Sequence, residues 1–265
     1  MTTESWSVAA PQTIEVGSAT TLTVRLTNGR AEIVADPART SGAVVEVVEV
    51  SSRPLQVLAE HGTLRVAYDF PGLEGFVDRF RGLKDQDSAV VRITVPATSV
   101  VDVATVGAEV VVTGAQAGVN VKTAGGAITV TGTTGSVTTK SGTGTIAIAE
   151  HSGDASATTV SGAVSIEGAL GRVSAQTVSG AVDVTAVGTT PLVNAKTVSG
   201  AASVRLDAGS PVNLRARSVT GKVVVDGTQA TSSAQRTVVV DHAEPGAAAY
   251  ISTNTVSGTA TITRS

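Results

Sequence analysis

Three residue columns, each returning about every 18 positions, hold the side chains best placed to act at a surface. The first is Thr105, Thr123, Ser141, Thr159, Thr177, Thr197, Ser218 and Thr255. The second, two positions on, includes Thr143, Ser161, Ser179, Ser199, Thr220 and Ser257. Turned outward together, such hydroxyls make a flat hydrogen-bonding face suited to a glycan, a cell-wall polymer or ice. Turned toward the backbone, they satisfy groups at a corner and stack on one another. Thr159, Ser161, Thr177, Ser179, Thr197 and Ser199 are the candidate contact residues of this ladder. The third column carries Lys122, Lys140, Lys196 and Arg217, interleaved with Thr158, Gln176 and Asn254. It is a second candidate surface, or a solvated face that discourages strand pairing.

Nothing else converges on chemistry. Glu167, Asp183 and Asp226 have Thr, Ala and Arg as column neighbours, so no column holds two adjacent acids for glycosidase or calcium chemistry. His61, His151 and His242 are isolated in sequence and are expected at the surface or in turns, not as ligands. There is no phosphate loop, nucleophile elbow or metal-ligand spacing. With no cysteine, disulfides and thiolate metal sites are excluded. The expectation is a protein that is not an enzyme and needs no cofactor or metal. Basic and acidic residues balance over 100–265 and no aromatic residue interleaves the cations, which argues against nucleic acid.

A repeat must position these columns. A Gly-centred phrase recurs as AGGAITV, GTGTIAI, VSGAVSI, VSGAVDV, VSGAASV, VTGKVVV and VSGTATI. Its glycines are Gly126, Gly144, Gly162, Gly180, Gly200, Gly221 and Gly258, and Ala108 takes the place in VGAEVVV. Numbered from that glycine, positions −7, −5, −2, +2 and +4 are nearly all small or β-branched apolar residues. The pairs −7/−5 and +2/+4 have the period of a strand. The step of three between −5 and −2 predicts a corner, with −2 inward and the flanking hydroxyls outward. Glycine at zero allows a turn where a Cβ would collide. Each coil is thus two short strands. Alone it fails: five inward residues at roughly 1.5–3 kcal/mol each do not offset about 18 residues ordered at roughly 1–2 kcal/mol each. Coils stacked in parallel register bury one another's faces. The predicted fold is all-β, a parallel β-solenoid of about 18-residue coils stacked in chain order, with an N-terminal β-rich cap.

Composition agrees. Aromatic residues are 2% of the 265-residue chain, and the apolar bulk is Val, Ala and Ile with 28 glycines. A net charge of −3 points to no polyanion or acidic lipid surface. No signal peptide and no apolar run long enough for a membrane helix is visible, so the expected location is the cytoplasm and no membrane span is expected.

Three regions follow: a β-rich lead-in over 1–99, regular repeats over 100–229, and an irregular coil with a terminal strand over 230–265. Within the lead-in, 70–87 places Leu73, Phe76, Val77, Phe80 and Leu83 at helical spacing, as a plug for the first coil or a partner patch around Phe76 and Phe80.

The TVSGAVxV repeats, the strand-rich lead-in and the segment VRITVP (91–96) resemble the bacterial putative-adhesin family, a domain of unknown function built of β-strand repeats. The resemblance covers nearly the whole chain and implies an interaction or structural scaffold. It carries no catalytic or binding residues over. The chain is also similar, less closely, to bactofilins, cytosolic β-helical proteins that polymerise but lack a large N-terminal β cap. The expected partner is a protein, a glycan, a cell-envelope component or another copy of the chain. The alternatives are a self-polymerising cytoskeletal scaffold and a carbohydrate-binding or carbohydrate-active β-helix protein.

Overall fold

Valine, threonine and serine in alternation dictate strands. The computed structural model describes residues 3–68, 87–188, 192–209, 211–230 and 237–265. Among these the protein is all-β, with 24 strands and no helix. Phe76 and Phe80, with the rest of the helical pattern over 70–86, lie outside the described residues. The chain divides into two compact units, 1–128 and 129–265.

The first unit contains β1 (Glu4–Val8), β2 (Gln12–Val16), β3 (Thr21–Leu26), β4 (Asn28–Asp36), β5 (Ala43–Val50), β6 (Leu55–Glu60), β7 (Thr63–Ala67), β8 (Ser88–Pro96), β9 (Val100–Thr105), β10 (Glu109–Thr113) and β11 (Val119–Thr123). β12 (Ile128–Thr131) falls at the division. One ladder runs β1–β6–β7–β3–β9–β11 and a second runs β2–β5–β8–β4–β10. Strands adjacent in the chain occupy the same level of the two ladders, so each pair forms one rung. The β3/β4 rung lies between β7/β8 and β9/β10, out of chain order. It is a repeat in its own right: Leu22, Val24, Ala31 and Ile33 pair with Val101, Val103, Val110 and Val112. Gly29 in TNGRAEI therefore holds the marker position.

The second unit contains β13 (Thr134–Ser141), β14 (Ile146–Thr159), β15 (Val164–Ser179), β16 (Val182–Ala186), β17 (Leu192–Ser199), β18 (Ala202–Leu206), β19 (Val212–Ser218), β20 (Lys222–Val225), β21 (Thr228–Ala230), β22 (Val238–Ala243), β23 (Ala249–Ser257) and β24 (Thr259–Arg264). β14 and β15 each supply the end of one rung and the start of the next. Pairing is parallel and in the predicted register, with Val164 beside Val182 and Ile166 beside Val184. The rung order differs from the prediction. β17 and β18 pair not with β19 and β20 but with β23 and β24, and these in turn pair with β19 and β20. The final repeat is thus inserted one rung inward.

Pairing is not uniformly parallel. β1–β6, β6–β7, β2–β5 and β5–β8 in the first unit, and β19–β22 and β20–β21 in the second, are antiparallel. Of these, β6–β7 and β20–β21 are consecutive strands joined by two-residue turns, which return the chain antiparallel.

Positions −7, −5, +2 and +4 point inward as predicted. The corner does not. Thr159, Thr177 and Thr197 at −3 are 2%, 5% and 4% exposed, whereas Val160, Val178, Val198 and Val256 at −2 are 44–55% exposed. The strand alternation −7, −5, −3 continues one step further than the apolar pattern suggests, because the inward threonine has a use for its hydroxyl. Thr177 Oγ1 donates to the Gly162 carbonyl and Thr197 Oγ1 to the Gly180 carbonyl, each at 3.1 Å. Ser218 Oγ donates to the Gly258 carbonyl at 2.9 Å and accepts from the Gly221 amide at 2.9 Å. The threonines of the candidate ladder are therefore corner braces and not an outward face.

The marker glycines follow from close approach. A Cβ on Gly180 would overlap the Gly162 carbonyl, one on Gly200 the Gly180 carbonyl, and one on Gly258 the Gly200 carbonyl. The neighbouring rung is backbone, which cannot rotate aside. Gly180→Ala is expected to lower stability by about 1–3 kcal/mol through overpacking. Chemical denaturation checks this, and Gly188→Ala, with open space around its Cβ, reports the cost of a strained backbone alone.

Candidate functional site

Because the threonines turn inward, the valines beside them must turn out. In the second unit successive rungs set Val160, Val178, Val198, Val256 and Val219 in one column, an aliphatic strip crossing five rungs. Val178, Val198, Val256 and Val219 of this strip form one side of a shallow groove of about 550 Å³. The other side is the −4 column, Thr158, Gln176, Lys196, Asn254 and Arg217, and Thr159, Thr177, Thr197 and Thr255 lie at the floor. Beyond the strip stand the exposed hydroxyls of Ser161, Ser179, Ser199 and Ser257.

The groove is cationic and uncompensated. None of its lining residues is acidic. The first unit is different: there Arg25 pairs with Asp102, Arg30 with Glu109 at 3.2 Å and Arg92 with Glu32 at 3.3 Å. Lys196 and Arg217 lie two rungs apart with Asn254 between them. Lys140 is exposed on β13 and Lys122 on β11, neither lining the groove. The structure thus brings Thr159, Thr177, Thr197, Lys196 and Arg217 together, keeps Ser161, Ser179 and Ser199 at the rim, and sets Lys140 one strand beyond the groove as the register partner of Thr158. The valine strip went unread in the sequence because its residues look like core.

His151 corrects another expectation. It sits at a bend in β14 and is buried. Its Nδ1 lies 2.9 Å from Thr133 Oγ1 and its Nε2 lies 3.2 Å from the Asp154 carbonyl, so the ring is a structural brace. Among the described residues no group of His, Asp and Glu could hold a metal ion. No helix among them is long and apolar enough to cross a membrane.

The strongest electrostatic cluster lies at the inserted rung. Arg264, ending β24, donates to Asp226 through Nε at 2.9 Å and to Glu244 through Nη1 at 2.6 Å. Glu244 also accepts from the Val212 amide at 3.0 Å and faces His242 at 3.0 Å. These bonds, Arg264 first, hold the Glu244 carboxyl down to about 2 from its ordinary 4.5, and Arg264 likewise lowers Asp226. The cluster ties β24 to the ends of β20 and β22.

No family model matches the chain, and no curated protein matches it. Similar solved structures include a "putative cell adhesion protein" from Clostridium sporogenes, with 10% identity, a TM-score of 0.28, and 97% of this chain and 100% of that chain covered. Another is a "putative adhesin" from Bacteroides fragilis, with 13% identity, a TM-score of 0.47 and 97% of each chain covered. A third is a "putative lipid binding protein" from Parabacteroides distasonis, with 12% identity, a TM-score of 0.36, and 97% of this chain and 98% of that chain covered.

Lowered carboxyl pKa values fix the sign of an acid effect. The Arg264 cluster stabilises fully above the unfolded value near 4.5 and loses its contribution as pH falls from there toward about 2. Thermal melts across that range should show the gap between the natural chain and Arg264→Ala narrowing with acid, and narrowing with added salt at neutral pH.

Proposed function

We propose that this chain is a non-enzymatic binding module or scaffold, a parallel β-solenoid with antiparallel rungs at its ends, whose contact face is the groove between the valine strip and the Lys196/Arg217 column. The uninterrupted strip of half-exposed valines carries the reading. A contiguous exposed aliphatic strip rimmed by polar side chains, with cations that have no acidic partner among the described residues, marks an interaction surface. The partner is a protein, glycan or cell-envelope component presenting carboxylates or phosphates to the cations and apolar surface to the valines. Residues 1–99 serve as the cap, and 100–229 with 230–265 present the face.

The same chemistry disfavours self-pairing through this face, which would set Lys196 and Arg217 of two copies against one another. Of the hydroxyls that suggested an ice or glycan lattice, the threonine column is buried as braces, leaving only the serine column outward.

Immobilised protein, natural and Val178→Asp/Val198→Asp, tests the role against lysate and cell-envelope fractions. The substituted side chains point to solvent, so the fold should survive. Retention by the natural chain and a roughly tenfold loss in the variant, about 1.4 kcal/mol, is the expected result. Equal retention by both, or none by either, sinks it.

A further inference from the structure

We infer that the β23/β24 rung is exchangeable and that the slot it fills is also the docking site for the same rung of a second copy: two chains trade residues 249–264 and form a dimer. The inference rests on the strand order of the second unit and not on the proposed binding face.

The slot lies between β17/β18 and β19/β20, and the chain enters it from beyond β19. β22 pairs with one side of β19 and β23 with the other. The turn over 244–248 therefore carries the chain across the start of β19, where the Glu244 amide donates to the Val212 carbonyl at 3.3 Å. Gly246 in this turn has φ +77° and open space around it. Withdrawing the rung needs a swing at this turn and no other rung need open.

Once vacated, the slot is chemically selective. β19 and β20 could close directly on β17 and β18, since Leu214, Ala216 and Val223 match the columns of Val193, Ala195 and Ala202. That closure would set Arg217 beside Lys196, like charges on neighbouring strands. Asn254 now separates them. Refilling with a second β23/β24 restores the separation.

The rung also carries an unpaired buried group. Thr253 is fully buried at a position held by alanine in both neighbouring rungs, Ala195 and Ala216, and its hydroxyl has no partner. Asn194 Oδ1, beside Ser252, is likewise buried without a partner. A buried polar group left unpaired lowers the cost of opening. What holds the rung at its surface end is Arg264 with Asp226 and Glu244, contacts that re-form identically between two chains. Exchange thus forfeits no contact, which is the condition for a low-cost swapped dimer.

The chain has no cysteine, so cross-links report cleanly. Ser199 and Ser257 are exposed register partners with hydroxyl oxygens 3.5 Å apart, a strand spacing that accommodates a disulfide. Two singly substituted chains, Ser199→Cys and Ser257→Cys, are mixed, incubated at rising concentration and oxidised. A mixture of Ser161→Cys and Ser257→Cys gives the collision background, because Ser161 pairs with Ser179. The expected result is a 199–257 linked dimer at least about tenfold above that background, increasing with concentration and time. Arg264→Ala in both chains should speed its appearance several-fold, and Thr253→Ala should slow it. A 199–257 yield no higher than background at every concentration overturns the inference, as do rates unmoved by both substitutions.

Discussion

Every rung depends on the rung beside it. Small aliphatic side chains, four or five to a level, bury too little surface for one level to persist, so the backbone bonds between levels and the shared interior are a single condition. The marker glycines show how tight the condition is. Their carbonyls approach the next rung so closely that a methyl group has no room, and the inward threonines use the same carbonyls as acceptors. Hydrogen bonding, glycine and the absence of aromatic bulk are thus one requirement: identical levels at strand spacing.

That requirement also determines what reaches the surface. An inward hydroxyl at −3 forces an outward residue at −2, and in five consecutive rungs of the second unit that residue is valine. The strip is a by-product of corner geometry in its placement. Its companions are not: Lys196 and Arg217 flank it with no acidic residue in the groove lining, while Arg25, Arg30 and Arg92 of the first unit each pair with a carboxylate. The two units share a construction and present different surfaces.

The strand columns were legible in the sequence because β-branched residues at a fixed period have few other uses. Val164 over Val182 followed from spacing alone. Three features were hidden, each for a physical reason. The inward threonine was masked because hydroxyl residues at a corner read as polar and valine reads as core, whereas hydrogen bonding to the glycine carbonyl reverses both. The rung at Gly29 was masked by distance, since β5 to β8 intervene before the next marker. The inserted position of β23/β24 was masked by the repeat itself: coils with matching columns are interchangeable neighbours, and only side chains outside the columns, such as Asn254 between two cations, distinguish one order from another. The buried setting of His151 had no sequence signal beyond its place at a turn.

The place of β23/β24 also has a temporal side. A polypeptide emerges from its N-terminus onward, so β19 through β22 are free to pair before the strands that are to lie beneath them. During that interval the nascent chain has only the wrong neighbour to offer, β17/β18, and adopting it would bring Lys196 against Arg217. Like charges on neighbouring strands oppose that pairing, which leaves the gap for the missing level to fill as it follows.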